Sequence, residues 1–273
     1  MNRIFFSQVC VIIVFCTFIL SEAFEQTVSI PNTKNGKTYK ALVVCPDKYK
    51  KSTTHFAAIY LLHGYSGSYT TFSKIVDLEK YANVYGVMLI CPDGNYNSWY
   101  LNSPVREGSQ FRFYLINNVI PYIDTHFRTL ARTETRAIIG TSMGGHGALT
   151  LLVQHPSVFC GAGSISGILD LTKFPKQWDL ERILGNYSSH KNNWTKNSFV
   201  YLAESFQHRD KYILIDCGTE DFAIAVNRDA HQKLVTLGID HEYFERTGKH
   251  DYNYVKKVLE HHIAFFSQVM NKK

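Results

Sequence analysis

The sequence predicts an α/β domain with a mainly parallel central sheet and helices on both faces. Three observations predict it. Short apolar runs alternate with helix-like segments through residues 56–270, the rhythm of parallel strands joined by crossovers. Most of these runs are apolar throughout rather than alternating, as expected of strands buried on both faces. Several then empty into polar, glycine-bearing loops, where sheets of this kind gather their chemistry. A chain of 273 residues can fill one such domain around a single core.

Taken in order, the chain opens with a basic Met1-Asn2-Arg3, an apolar run to residue 20 and the small-residue site Ser21-Glu22-Ala23. This reads as a secretory leader over residues 1–23, cleaved after Ala23. The expectation is one domain over residues 24–273, secreted or periplasmic, with no stable membrane anchor. Residues 26–30 and 38–45 predict a hairpin turned through Asn32 and Asn35-Gly36. Residues 56–62 predict a buried strand that ends in His63-Gly64-Tyr65. A helix over 72–85 and a short strand over 87–91 follow. Residues 95–109 form a polar loop carrying Trp99 and Tyr100. Residues 111–127 have helical periodicity, with Pro121 expected to kink them.

Residues 136–139 predict a strand and 145–153 a helix rich in Ala and Leu, with Gly140-Thr141-Ser142-Met143-Gly144 between them. A further strand spans 160–166. Residues 167–209 then break the rhythm as a polar, aromatic insertion over the carboxyl edge of the sheet, with Trp178 inside it. A strand over 211–217, a helix over 223–237, a strand over 241–246 and a closing helix over 252–270 complete the chain.

Apolar residues make up 45% and charged residues 19%, so no disordered tract is expected. The formal charge is +6, but the lysines and arginines are scattered. That reads as solvated surface and not as a nucleic-acid groove. Cys45, Cys91, Cys160 and Cys217 fall in or beside apolar runs and read either as buried thiols or, in a secreted protein, as partners in a disulfide whose connectivity the sequence does not give. There is no C-x-x-C pair and no H-E-x-x-H, so no metal site is expected, and the serine chemistry read below needs no cofactor.

The chemistry centres on the G-x-S-x-G turn. Strand, sharp turn and helix hold the Ser142 hydroxyl clear of the backbone at the positive end of a helix. A serine hydroxyl needs a base, and the base needs an acid to fix its tautomer. On such turns the order along the chain is serine, acid, histidine. The acid candidates are Asp216, Glu220 and Asp221; Asp221, in the loop past a strand, is chosen and Asp216 held in reserve. Among His231, His241, His250, His261 and His262, only His250 lies in a loop at a strand's carboxyl end. The N–H of Met143 and the N–H of Tyr65 are the expected donors to an oxyanion. His63 reads as a residue that holds its loop by hydrogen bonds.

Tyr60-Leu61-Leu62-His63-Gly64, Pro92-Asp93-Gly94 with Ser98-Trp99-Tyr100, Ile120-Pro121-Tyr122-Ile123-Asp124, Gly140-Thr141-Ser142-Met143-Gly144-Gly145 and the Asp221 and His250 loops resemble the esterase D-type family. That family includes tributyrin esterases, secreted feruloyl and acetyl-xylan esterases, S-formylglutathione hydrolases and, more distantly, mycolyltransferases. The resemblance covers nearly all of residues 24–273. It implies an α/β-hydrolase fold, the triad Ser142, Asp221 and His250, and a serine carboxylic-ester hydrolase acting on a small-molecule or polysaccharide-linked ester. Trp99, Tyr100 and Trp178 are expected at the mouth, where aromatic faces stack on sugar or phenolic rings. Two departures bear on substrate choice. Asn117-Asn118 stands where relatives often have Glu-Leu, and the 167–209 insertion matches only loosely. Acyl transfer to a sugar hydroxyl, an S-formylglutathione hydrolase-like thioesterase and a non-catalytic binding module are the competing expectations.

Overall fold

The computed structural model describes residues 24–207 and 210–272. The leader expected over residues 1–23 lies outside the described residues. The domain is built on an eight-stranded sheet in the order β1-β2-β4-β3-β5-β6-β7-β8. The strands are β1 Phe24–Pro31, β2 Thr38–Cys45, β3 Ala58–Leu62, β4 Met88–Pro92, β5 Arg136–Thr141, β6 Gly161–Ile165, β7 Tyr212–Gly218 and β8 Glu242–Arg246. β1 and β2 form the expected antiparallel hairpin, and β2 pairs antiparallel with β4. All pairings from β4 through β8 are parallel. Gly36 takes φ +69° in the hairpin turn, where a side chain would be strained.

The central strands are apolar throughout because both of their faces are covered. In β3, Tyr60 and Leu62 belong to one buried cluster and Ile59 and Leu61 to the other, as a period of two requires. The first cluster is closed by helix α2, Met143–Gln154, and the second by α1, Leu78–Tyr85, together with α4, Tyr252–Asn271. Helix α3, Ile224–Thr236, lies on the α2 side. In α4, Val255, Val258, Leu259, His262, Ile263, Phe266 and Val269 recur at helical spacing and are buried. Each large apolar member contributes about 1.5–3 kcal/mol by burial.

Two helices differ from expectation. Only Leu78–Tyr85 of the 72–85 stretch is α-helical, because Asp77 caps it by accepting the Lys80 N–H at 2.9 Å. The 111–127 stretch is helical in three parts: Phe111–Tyr114, a wider π turn over Leu115–Val119, and Ile120–His126. Pro121 has no N–H for the carbonyl four residues back, and the π turn absorbs the mismatch. The excursion between β6 and β7 carries the short helices Leu180–Leu184, Lys191–Thr195 and Phe199–Leu202. It is anchored by Trp194, fully buried, whose ring N–H donates to the Gly185 carbonyl at 2.9 Å. Cys45, Cys91, Cys160 and Cys217 are buried, and none forms a disulfide among the described residues. No helix among the described residues is long and apolar enough to cross a membrane.

Candidate active site

The carboxyl edge of the sheet is assembled by close backbone contacts. A Cβ on Gly144 would lie 2.0 Å from the Leu62 carbonyl oxygen, and one on Gly140 would lie 2.1 Å from the Gly144 oxygen. Only glycine lets α2 start this close to β3 and β5. Ser142 stands between these glycines at φ +54°, ψ −115°, strained for a residue with a side chain. Its N–H donates to the Ile165 carbonyl at 2.9 Å, and its own carbonyl accepts the His146 N–H at 3.0 Å. These bonds hold the strained turn in place.

The structure brings Ser142, His250 and Asp221 together although 108 residues separate the first two and 29 the last two. Ser142 Oγ lies 2.9 Å from His250 Nε2, and His250 Nδ1 lies 2.8 and 3.0 Å from the two Asp221 oxygens. The neighbours assign the tautomer: Nδ1–H donates to the carboxylate, and Nε2 accepts from the serine. Asp221 also accepts the Ala223 N–H at 2.7 Å, so the same carboxylate caps the turn into α3. Burial pushes the Asp221 carboxyl up. The bond and charge of His250, the Ala223 N–H and the neighbouring Ser166 hydroxyl outweigh it, and its pKa ends below the usual value. Asp221 is therefore a carboxylate.

The His250 loop is moored to the end of β7. A Cβ on Gly218 would lie 2.3 Å from the Gly248 oxygen, the Glu220 N–H donates to the Gly248 carbonyl at 3.0 Å, and the Thr219 N–H donates to the Arg246 carbonyl at 2.9 Å. The reserve acid, Asp216, does not reach His250. It is fully buried one layer below, paired with Arg246 and accepting the Tyr254 hydroxyl.

Met143 is the first residue of α2, so its N–H has no acceptor within the helix. Gly64 and Tyr65 line the same cavity as Ser142, and a Cβ on Gly64 would lie 3.4 Å from that of Ser142. Ser66 and Gly67 N–H groups are used by the Tyr96 and Gly64 carbonyls. His63 holds this loop from beneath: its Nδ1 pairs with the Gly64 carbonyl at 2.8 Å, and its Nε2 accepts the Gly94 N–H at 2.8 Å. Burial lowers its pKa, against the Gly64 carbonyl and Asp93, so the ring is neutral.

A cavity of about 410 Å³ opens over Ser142 and His250. Trp178 lines it as expected. Trp99 and Tyr100 do not: each is 1% exposed, which overturns their assignment to the substrate-facing wall. Both take positive φ, which turns the rings inward. Tyr100 wedges between Gly94 and Gly147 and donates its hydroxyl to the His63 carbonyl at 3.1 Å. The Trp99 ring N–H donates to the Trp178 carbonyl at 3.4 Å. These two rings build the floor beneath Trp178 and the His63 loop. The wall includes two aromatics that sequence reasoning missed. Phe222 and Tyr252 are each 53% exposed. Phe222 lies against the His250 ring, centroids 4.3 Å apart. Their signal was adjacency, since each is next to or within two residues of a candidate site residue.

Residues 33–266 match the family described as "Putative esterase". The chain is 29% identical over 242 residues to an acetyl esterase of Caldicellulosiruptor saccharolyticus, an alignment covering 82% of this chain and 89% of that protein. It is 27% identical to esterases of Mycobacterium tuberculosis, of whose length it spans about half (51%). Among solved structures, a ferulic acid esterase superposes with TM-score 0.80 at 20% identity, over 91% of this chain and 99% of that one. An S-formylglutathione hydrolase of Staphylococcus aureus superposes with TM-score 0.79 at 23% identity, over 90% and 99%. The sheet with its covering helices is thus that of the α/β-hydrolase esterases.

Proposed function

The chain belongs to the "Putative esterase" family, and we propose that this esterase hydrolyses short acyl or feruloyl esters through an acyl-enzyme on Ser142. Ser142 Oγ bonds to the ester carbonyl carbon while its proton passes to His250 Nε2. The Met143 and Tyr65 N–H groups hold the oxyanion. The carbon–oxygen bond to the alcohol then breaks, and the leaving oxygen takes the proton from His250. Water, deprotonated by His250, attacks the acyl carbon and returns free Ser142 and the acid. Asp221 holds the His250 tautomer and stabilises the imidazolium throughout. No step calls for a metal or an organic cofactor.

The observation that carries this reading is the unbroken chain of contacts from Ser142 through His250 to Asp221, at 2.9 and 2.8 Å. Its position beside the mouth of a cavity with aromatic walls supports ester substrates with a flat or apolar portion. The acetyl esterase relative supports small acyl groups. Export, resting on the leader-like first 23 residues, belongs to the same proposal and favours esters met outside the cell. The test is a panel of p-nitrophenyl acetate, p-nitrophenyl butyrate and methyl ferulate, with wild type and Ser142→Ala. Turnover of at least one ester by wild type, with loss in Ser142→Ala and an unchanged melting curve, is expected. Retention of more than a small fraction of kcat in that variant would remove Ser142 from the mechanism.

A further inference from the structure

A second groove, of about 520 Å³, adjoins the active-site cavity. Tyr252 lines both, so the two spaces meet across one side chain. The groove is lined by Ser66, Ser68, Thr71, Lys74, Asn253 and Lys256, among others, and no carboxylate is among its lining residues. Lys74 and Lys256 are exposed, and neither takes part in a salt bridge among the described residues. Ser68 and Thr71 are fixed by their own loop, with the Ser68 N–H donating to Thr71 Oγ1 at 2.9 Å. The hydroxyl-bearing wall is thus ordered, while the lysines are free to meet a ligand. A neighbouring groove shares Lys74 and Lys256 and adds Lys80 and one carboxylate, Asp77, which caps α1 by accepting the Lys80 N–H.

The side of the reaction is set by His250. The group that protonates the leaving oxygen must stand on the leaving-group side. Asp251 and Tyr252 follow His250 directly, and the lysine groove lies past Tyr252. We infer that the groove between the Ser66–Thr71 loop and the start of α4 is a subsite for a carboxylate on the alcohol portion of the ester, held by Lys74 and Lys256. This rests on the esterase reading above. It adds a charge preference that the triad and the aromatic walls do not supply. The carboxylate can sit on an acidic saccharide or on a small aryl acid; the chemistry at the lysines is the same.

The test measures acetate release from two matched pairs. One is an O-acetylated oligogalacturonate and the same oligomer with its carboxylates methyl-esterified. The other is 4-acetoxybenzoate and its methyl ester. Exposed ion pairs are individually weak, so the anionic member of a pair should show a KM lower by on the order of threefold to tenfold, with kcat little changed. That advantage should shrink towards unity in about 0.5–1 M NaCl, where the screening length falls to a few ångströms. In Lys74→Gln/Lys256→Gln it should vanish, and in Lys74→Glu/Lys256→Glu it should invert, with the neutral esters turned over as by wild type. An advantage in the saccharide pair alone assigns the subsite to acidic saccharides, in the aryl pair alone to small acids, and in both to either. If the neutral esters turn over but neither anionic twin has the advantage, or the advantage survives both lysine substitutions, the subsite is refuted while the esterase reading stands. If the neutral esters are not turned over at all, it is the esterase reading that fails.

Discussion

Replacing Asp221 by Asn exchanges one oxygen for an NH₂ group and leaves the size of the side chain unchanged. In the native site the carboxylate accepts from His250 Nδ1 at 2.8 Å and from the Ala223 N–H at 2.7 Å. An asparagine has one acceptor to share between those donors. Oδ1 is the oxygen that meets both donors, so an asparagine that keeps it there sets its NH₂ in the place of Oδ2, 3.0 Å from His250 Nδ1, where it repels an Nδ1–H and favours that nitrogen as acceptor. The proton then sits on Nε2, where it faces Ser142 and cannot accept the serine proton. The expected loss is on the order of 10⁴ in kcat, about 5–6 kcal/mol of transition-state stabilisation, with little change in KM. The reserve acid gives the contrast. Asp216→Asn discharges the partner of Arg246, whose side chain is 27% exposed and can re-solvate. A loss of about 2 kcal/mol, below the range for sealed pairs, would lower the melting midpoint by roughly 4–8 °C and leave kcat near normal. Steady-state hydrolysis of p-nitrophenyl acetate and thermal unfolding by circular dichroism on both variants decide the matter. A folded, inactive Asp216→Asn beside an active Asp221→Asn would refute the reasoning and leave Asp221 as a turn cap alone.

Gly144→Ala places a methyl 2.0 Å from the Leu62 oxygen and should cost several kcal/mol or prevent folding, whereas Gly108→Ala meets nothing within 4 Å and should be neutral; soluble yield and melting midpoint compare them. Trp99→Ala empties a fully buried site and should cost about 3–5 kcal/mol, while Trp178→Ala, at the cavity wall, should raise KM for aryl esters with a small effect on stability; equal melting shifts would contradict the two assignments. Stability should also fall with acid. Burial pushes His146 down to about 4 from the usual 6.5, and burial lowers His63 and His262 as well. Unfolded histidines take up protons below pH 6.5 that these rings refuse, so their contribution is full above that pH and is lost as pH drops. For His146 alone the loss between pH 7 and pH 5 is about 2 kcal/mol. A melting midpoint unchanged over that interval would show that these rings are not held neutral.

Much of the edge that carries the site was legible because the sequence signals it locally. An unbroken apolar run before Ser142, glycines on either side and an Ala/Leu-rich stretch after it leave few alternatives to strand, sharp turn and helix. His250 stood out because the competing histidines lay within helices or at a strand's start. What stayed hidden depends on where the chain folds back on itself. Trp99 and Tyr100 sit in a loop that reads as polar surface, yet its polar groups are used locally. Asn95 N–H donates to Asp93 at 2.7 Å, Tyr100 N–H donates to the Ser98 hydroxyl at 3.1 Å, and Ser103 donates to the Ile183 carbonyl at 2.6 Å. With the polar groups satisfied, positive φ at both aromatics sends the rings into the core. Phe222 was concealed for the opposite reason. It lies just before the amphipathic helix α3 and carries no polar group to signal a site, and the Asp221 turn leaves it outside, against His250.

The fit of Gly144 beneath the Leu62 carbonyl and of Gly218 beneath that of Gly248 has a consequence for how this protein can diversify. Both are contacts of main chain on main chain, indifferent to which side chains decorate the neighbouring positions. The seat of the reacting atoms is therefore insulated from drift in the residues around it. A lineage adapting to a new ester would be confined to the parts that touch substrate without bearing on those contacts: the excursion between β6 and β7 that carries Trp178, and the exposed face at the start of α4. Change would accumulate there, around a catalytic seat that stays still.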